Sequence, residues 1–211
     1  MKHIMTAAAL IAAAGAAHAG EFRGSAAYGI GGSTYEEGSG DELTADVSQL
    51  ALSATYFLDE AGAFFGMGYL VGELGDFEFN GRPVGLEDQD VNVTSFRLGY
   101  RAGRYGAAQL VIAANYARSD SDDGDDSDST GLAVGVERTS ESGRLALTAD
   151  YSNGDSTDSY GIEATGVLAV AENIGIGISA LYSLGDGESG GMDTDVSSWI
   201  VGVGVELRFV N

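Results

Sequence analysis

The sequence predicts an all-β fold, a closed up-and-down barrel of antiparallel strands, and three observations lead to this prediction. First, apolar residues recur at every second position in ten segments, and no stretch after residue 20 keeps a helical period. Second, the connections between these segments alternate between short turns and longer, more acidic links. Third, aromatic residues gather near the segment ends, on the apolar face. Ten strands are the favoured count, and eight are the alternative.

The first 19 residues have the pattern of a cleaved signal peptide. Lys2 gives a short positive start, residues 4–17 are apolar apart from Thr6, and Ala17-His18-Ala19 is a small-x-small cleavage site. The apolar run is shorter than the roughly 20 residues that a membrane-spanning helix needs. We therefore expect a signal peptide over residues 1–19 and one barrel domain over residues 20–211.

The composition after the leader excludes several classes of function. Residues 20–211 contain no His, Lys or Cys, and the ten basic residues of the chain, less Lys2, leave nine arginines against 32 carboxylates. Without Cys there is no disulfide framework and no thiolate chemistry. The excess of acid argues against nucleic acid as a partner, because phosphate contacts need clustered Lys and Arg.

The strands follow from the period of two, since alternate side chains of a strand point to opposite faces. Between residues 174 and 184, Ile174, Ile176 and Ile178 alternate with glycine and serine. We expect the bulky face to contact lipid and the small, polar face to line the interior. The predicted strands cover about 22–33, 47–58, 63–72, 91–101, 107–118, 130–139, 144–152, 159–170, 174–185 and 197–210.

The lengths of the connections between strands indicate the class of barrel. Short turns join strands 2–3, 4–5, 6–7 and 8–9, and longer links join the other pairs, with residues 153–158 as the link on which the count of ten depends. An even number of strands with short turns at one end is the pattern of bacterial outer-membrane barrels. Strands of this length match the roughly 9–11 residues needed to cross a bilayer when tilted.

Aromatic residues on the apolar face predict two interfacial belts, one at each end of the barrel. A soluble secreted β-protein, with its apolar face turned into a core, is the alternative interpretation. The predicted membrane-interface aromatics are Phe22, Tyr56, Phe65, Tyr100 and Phe209 toward the short turns, and Tyr69, Tyr116, Tyr151, Tyr160, Tyr182 and Trp199 toward the long links.

The last strand, WIVGVGVELRFVN, carries the most specific motif. It resembles the assembly signal of small bacterial outer-membrane β-barrel proteins, the opacity-protein and OmpX-like barrels and small porins, through Gly204, Leu207 and Phe209. It departs from that signal by ending two residues past the aromatic, at Val210-Asn211. The resemblance implies an integral outer-membrane location and recognition by the barrel-assembly machinery.

The interior face carries charges that must pair or stay hydrated in a narrow space. If they interlock, the protein is a non-conducting structural or surface-interaction barrel. If they leave a gap, it is a narrow porin-like channel for small polar solutes or ions, with an acidic outer vestibule. The channel is the leading hypothesis. The candidate pore-lining residues are Arg23, Arg97, Arg101, Arg144, Arg208, Glu137, Asp150, Glu163 and Glu206.

The long links hold most of the carboxylates, and we expect them outside the cell. The run SDSDDGDDSDS does not fit an EF-hand, because two of the three positions counted back from Gly124 are serines. No metal site or cofactor is predicted. The expected partners are outer-membrane lipid and lipopolysaccharide, with loosely bound divalent cations at the acidic links. Catalysis is not expected, because general-base work near neutral pH usually falls to His.

Overall fold

A computed structural model describes residues 20–58, 62–121, 126–154, 157–189 and 192–210, and the predicted signal peptide lies outside them. Within these ranges the chain is almost entirely β-strand. No helix in them has the length and apolarity needed to cross a membrane. The strands are β1 (Gly20–Glu37), β2 (Glu42–Leu58), β3 (Ala63–Phe79), β4 (Arg82–Pro83), β5 (Gln89–Tyr105), β6 (Ala108–Ser121), β7 (Ser127–Ser140), β8 (Gly143–Gly154), β9 (Thr157–Ala171), β10 (Ile174–Ser189) and β11 (Met192–Val210).

All strands but β4 form one closed ring. Each pairs antiparallel with its sequence neighbours, β3 pairs with β5, and β1 closes the ring by pairing with β11. The predicted all-β, closed antiparallel barrel of ten strands is therefore confirmed. Because Asn153 pairs with Asp158 at the end of the β8–β9 ladder, β8 and β9 are two separate barrel strands, as the count of ten requires. We call the end that carries Gly20, Val210 and the β7–β8 turn the terminal end. The opposite end, which carries the β1–β2 turn at residues 38–41, is called the hairpin end.

The strands are longer than predicted, and the prediction of long loops is wrong in this respect. The β1–β2 ladder continues to the pair Glu36–Glu42, although the predicted strands stop at 33 and begin at 47. Backbone pairing does not need apolar side chains once a strand has left the bilayer, so the ladder continues where the alternation ends. A longer connection, residues 80–88, joins β3 to β5.

That connection begins with a tight turn that docks on the neighbouring hairpin. Asn80 and Gly81 both have positive φ, 50° and 71°, as a type I′ turn requires. The Asn80 side chain donates to Asp41 Oδ1 at 3.0 Å and accepts from the Glu42 backbone N–H at 3.0 Å. The Asn-Gly pair is a hairpin signal that the sequence offered and the strand prediction did not use.

The apolar face points outward, as predicted. Leu98, Ile178 and Val203 are 68%, 66% and 62% exposed, whereas Arg23 and Glu137 on the other face are 7% and 8% exposed. This arrangement is the reverse of a soluble sandwich, in which bulky apolar residues fill the interior.

Larger side chains fill part of the space beside the interior glycines. The Phe64 ring lies over Gly99, so a Cβ built on Gly99 falls 2.3 Å from Phe64 Cζ and 2.6 Å from the Ile112 carbonyl oxygen. In the same way, Ile200 leans over Gly29 and Val167 over Gly175. These positions need glycine because a neighbouring group already occupies the volume of a methyl.

Candidate functional site

A layer of paired charges crosses the barrel interior near the terminal end, and we call it the ion-pair layer. Its members come from β1, β5, β7, β8 and β11, so it ties together strands from different sides of the ring. Four arginines and three glutamates form it: Glu21, Arg23, Arg101, Glu137, Arg144, Glu206 and Arg208.

The Glu137 carboxylate lies at the centre of the layer and contacts three arginines. Its Oε2 lies 2.6 Å from Arg23 Nη1 and 3.6 Å from Arg144 Nη1, and its Oε1 lies 3.1 Å from Arg101 Nη2. Thr139 Oγ1 donates to the same Oε1 at 3.3 Å. The Glu137 side chain is 9% exposed, so three guanidinium groups compensate one nearly buried carboxylate.

Glu21 is the second hub. It accepts from Arg23 Nε at 2.5 Å, Arg208 Nε at 2.8 Å and Arg101 Nη1 at 3.1 Å. Arg144 Nη2 donates to Glu206 at 2.6 Å and links a third carboxylate to the layer. With four cations against three anions, the layer has a surplus of donors, and the Nε groups of Arg101 and Arg144 are buried without an acceptor.

Phe57 supports the arginines from the wall of β2. The Arg101 guanidinium carbon lies 3.4 Å from the ring centroid and that of Arg23 lies 4.8 Å away, both within cation–π range. Phe64 packs against Phe57 with ring centroids 5.2 Å apart.

The sequence prediction missed both Glu21 and Phe57. Glu21 lies two residues before Arg23 on the same strand, so its side chain points to the same face, and this spacing would have marked it as interior-facing. Phe57 stands at the end of a strand, where an interior aromatic looks like an interfacial one.

Two cavities meet at the ion-pair layer. A cavity of about 570 Å³, the wide cavity, extends toward the hairpin end between walls rich in Gly, Ser and Thr. A second cavity of about 350 Å³, the terminal cavity, is lined by Gln109, Thr139, Glu141 and Arg208 among others. Arg23 and Arg101 border both. The ion-pair layer therefore lies between the wide cavity and the terminal cavity.

Three predicted pore-lining residues lie apart from the layer. Arg97 and Glu163 line the wide cavity, and Arg97 Nε donates to Asn115 Oδ1 at 2.9 Å. Asp150 is also on the interior face, where its carboxylate lies against Gly161 and Arg97 acts on it electrostatically. The other six predicted residues all belong to the layer.

Outward-facing aromatics lie near both ends of the ring. Paired rings include Tyr56–Phe65 at 5.7 Å between centroids toward the terminal end, and Tyr151–Tyr160 at 5.1 Å toward the hairpin end. Phe22 differs from the others because it is 4% exposed: its ring covers Gly24 and lies 6.3 Å from that of Phe209.

Gly204 lies where β11 closes against β1. A Cβ at this position falls 2.5 Å from the Ala26 carbonyl oxygen and 2.8 Å from Ala27 Cβ. Phe209, on the same strand, is 40% exposed on the outer face. Gly204 thus permits the close approach of the two strands that seal the barrel.

Carboxylates line up on the outer face of the hairpin end. Along one row of cross-strand partners, Asp158, Asp186, Asp195, Glu36 and Glu42 follow one another across β9, β10, β11, β1 and β2. Like charges directly opposite each other are unfavourable unless solvent or cations screen them. We call this arrangement the acidic row.

Arg118 is a cation on this same outer face. It donates to Asp120 at 3.2 Å and also to Asp126, and these hydrogen bonds and charges raise the pKa of the guanidinium. Among the described residues, no three carboxylates are placed to hold a metal ion, and residues 122–125 of the acidic run lie outside the description.

Comparison with known proteins identifies the fold. No family model and no curated protein matches the sequence. The outer-membrane protease OmpT from Escherichia coli superposes with a TM-score of 0.53 at 11% identity, over 92% of this chain and 100% of that chain. The β-domain of the Bordetella autotransporter BrkA gives 0.52 at 11%, over 88% and 98%. The fold is that of small outer-membrane β-barrels, and with its apolar outer face it agrees with the predicted integral outer-membrane location.

Proposed function

We propose that the protein forms a narrow, charge-lined channel for small polar solutes or ions, with the ion-pair layer as its constriction. One observation carries the proposal: the wide cavity and the terminal cavity share Arg23 and Arg101 in their walls. A single layer of side chains therefore separates two polar spaces. A change in the rotamers of these two arginines joins them.

The composition of the layer favours such movement. Arginine side chains have several rotatable bonds, and four of them compete here for three carboxylates. Two of the Nε groups have no acceptor in the observed arrangement, so this arrangement does not satisfy every donor of the layer. The acidic hairpin end concentrates cations, while the arginines of the layer favour anionic groups.

The alternative is a non-conducting barrel, and one observation favours it. Arg23, Glu137 and Glu206 are 7%, 8% and 8% exposed, which is the burial expected of a plug. Burial of this degree limits water around the charges. In this case the layer serves as an internal brace and the outer surface carries the function.

Single-channel recording separates the two functions. Purified, refolded protein is incorporated into planar lipid bilayers, and the wild type is compared with Glu137→Ala. Loss of Glu137 removes three arginine contacts, so we expect small current steps from the wild type and larger, more frequent steps from the variant. Glu172→Ala, in an exposed turn at the terminal end, is the matched control. Flat traces from both folded proteins would reject the channel.

We propose no catalytic role for this barrel. OmpT is named a protease, but residues 20–211 here contain no His to serve as a general base. Incubation of the refolded protein with a mixed peptide substrate checks this point, because cleavage that withstands repurification would establish an enzyme.

The proposed partners contact the outer face. Lipid hydrocarbon covers the apolar belt, lipopolysaccharide phosphates meet Arg118, and divalent cations screen the acidic row. The assembly machinery would recognise the last strand through Gly204, Leu207 and Phe209. Melting temperature in vesicles with and without lipopolysaccharide, and with and without EDTA, tests the lipid and cation contacts.

A further inference from the structure

Two charged residues in the wide cavity have no ion-pair partner among the described residues. Its charged lining residues are Arg23, Arg97, Arg101, Glu137, Arg144, Glu163 and Glu206. All of these except Arg97 and Glu163 belong to the ion-pair layer, where each has at least one partner. Within the described part of the chain, one cation and one anion outside the layer therefore face the same space.

Arg97 is held so that its guanidinium stays available. Its Nε–H is directed to Asn115 Oδ1 at 2.9 Å, and the side chain is exposed on the wall of the wide cavity. Its cross-strand neighbour Gly66, and Gly131 beyond Asn115, bring no side chain into this volume. Arg97 acts electrostatically on the nearby Asp150 carboxylate, and within the described part of the chain the two side chains are not in ion-pair contact.

Glu163 lies on nearly the opposite wall. Counted around the ring from β5 through β6, β7 and β8, its strand β9 is four places away in a ring of ten. Thr165 Oγ1 donates to Glu163 Oε1 at 3.2 Å, and Glu163 lines the wide cavity. The cavity therefore offers a cation on one side and an anion on the other.

We propose that the wide cavity binds small zwitterionic solutes that carry a carboxylate and an ammonium group, with Arg97 contacting the carboxylate and Glu163 the ammonium. The inference deepens the proposed channel function, on which it rests, by naming its solute class. Charges in a confined space must be paired or hydrated, and a zwitterion pairs both without adding net charge. A planar guanidinium suits a carboxylate because it can donate two parallel hydrogen bonds.

The acidic row supports a zwitterion over a simple anion. Carboxylates on the outside of the hairpin end repel free anions, and a solute that also carries a positive charge is repelled less. A simple cation makes no contact with Arg97. Both single-charge classes therefore lose part of the interaction that a zwitterion gains.

Matched probes test the proposal by isothermal titration calorimetry on refolded protein in detergent micelles. The probes are γ-aminobutyrate, butyrate, which lacks the ammonium, and butylamine, which lacks the carboxylate. We expect γ-aminobutyrate to bind at least about tenfold more tightly than either, which corresponds to one charged contact. Arg97→Gln should weaken γ-aminobutyrate about tenfold without changing butylamine, and Glu163→Gln should weaken it without changing butyrate.

Two control substitutions and one charge-exchange double variant test whether the binding depends specifically on Arg97 and Glu163. Arg138→Gln, on the outer face, and Glu172→Gln, in an exposed turn, are matched substitutions that should leave affinity unchanged. Combining Arg97→Glu with Glu163→Arg should restore γ-aminobutyrate binding, because a zwitterion can bind in the reverse direction. Heat-modifiable migration on gels confirms folding, and Arg97→Lys and Glu163→Asp provide milder variants that keep each charge.

The outcomes separate the zwitterion site from the channel itself. Equal affinity for the three probes, or γ-aminobutyrate binding that withstands both Gln substitutions, overturns the zwitterion site even if the barrel conducts. Selective binding without current supports the site and rejects the channel.

Discussion

Replacement of Glu137 by Gln is the sharpest test of the ion-pair layer. The substitution keeps the size of the side chain but removes the charge that Arg23, Arg101 and Arg144 share at 2.6, 3.1 and 3.6 Å. Removing one partner of a buried ion pair costs about 3–5 kcal/mol, because the remaining charge is left uncompensated. Water in the two adjoining cavities and the acceptors on Glu21 offset part of that loss. We therefore expect a decrease of about 3 kcal/mol in the free energy of unfolding.

Urea unfolding in phospholipid vesicles measures this change. Trp199, the single tryptophan, is 52% exposed on the outer face, so its fluorescence reports transfer from lipid to water. Glu172→Gln, which removes a charge from an exposed turn, should change stability by less than about 0.5 kcal/mol. If Glu137→Gln is as stable as this control, the ion pairs of Glu137 contribute no net stability and the layer does not brace the barrel.

Three further predictions concern the interior packing, the outer face and the lumen. Gly99→Ala should destabilise the barrel by about 1–3 kcal/mol, because the added methyl overlaps the Phe64 ring and the Ile112 carbonyl oxygen. Gly177→Ala is the control in the same unfolding assay, and it should be nearly neutral because its nearest neighbours lie 3.4 Å from the added Cβ. Ile178→Arg should cost about 2–4 kcal/mol in vesicles, while Asp186→Arg on the same face of the same strand should be tolerated; equal effects would contradict the position of the lipid belt. Arg97→Glu should shift the reversal potential in a salt gradient toward cation selectivity, and an unchanged potential would remove Arg97 from the conduction path.

Local sequence patterns predicted the barrel because its two faces follow the strand period directly. In strand 174–185, Ile174, Ile176 and Ile178 alternate with small residues, and all three face outward in the structure. The same rule assigned Arg23 and Glu137 to the interior. It failed at the strand ends, since Glu36 and Glu42 pair in a ladder that no longer alternates between apolar and polar.

The sequence by itself thus determined the lipid-facing surface and most of the charges inside, because both depend on alternation along one strand. Only the tertiary structure decided which of those charges meet. Glu21 and Glu137 lie far apart in the chain, yet both contact Arg23 and Arg101. That meeting depends on strand stagger and barrel closure, and both are set by pairing between strands. The same closure placed Arg97 and Glu163 across a shared cavity, outside the ion-pair layer, which no pattern along a single strand encodes.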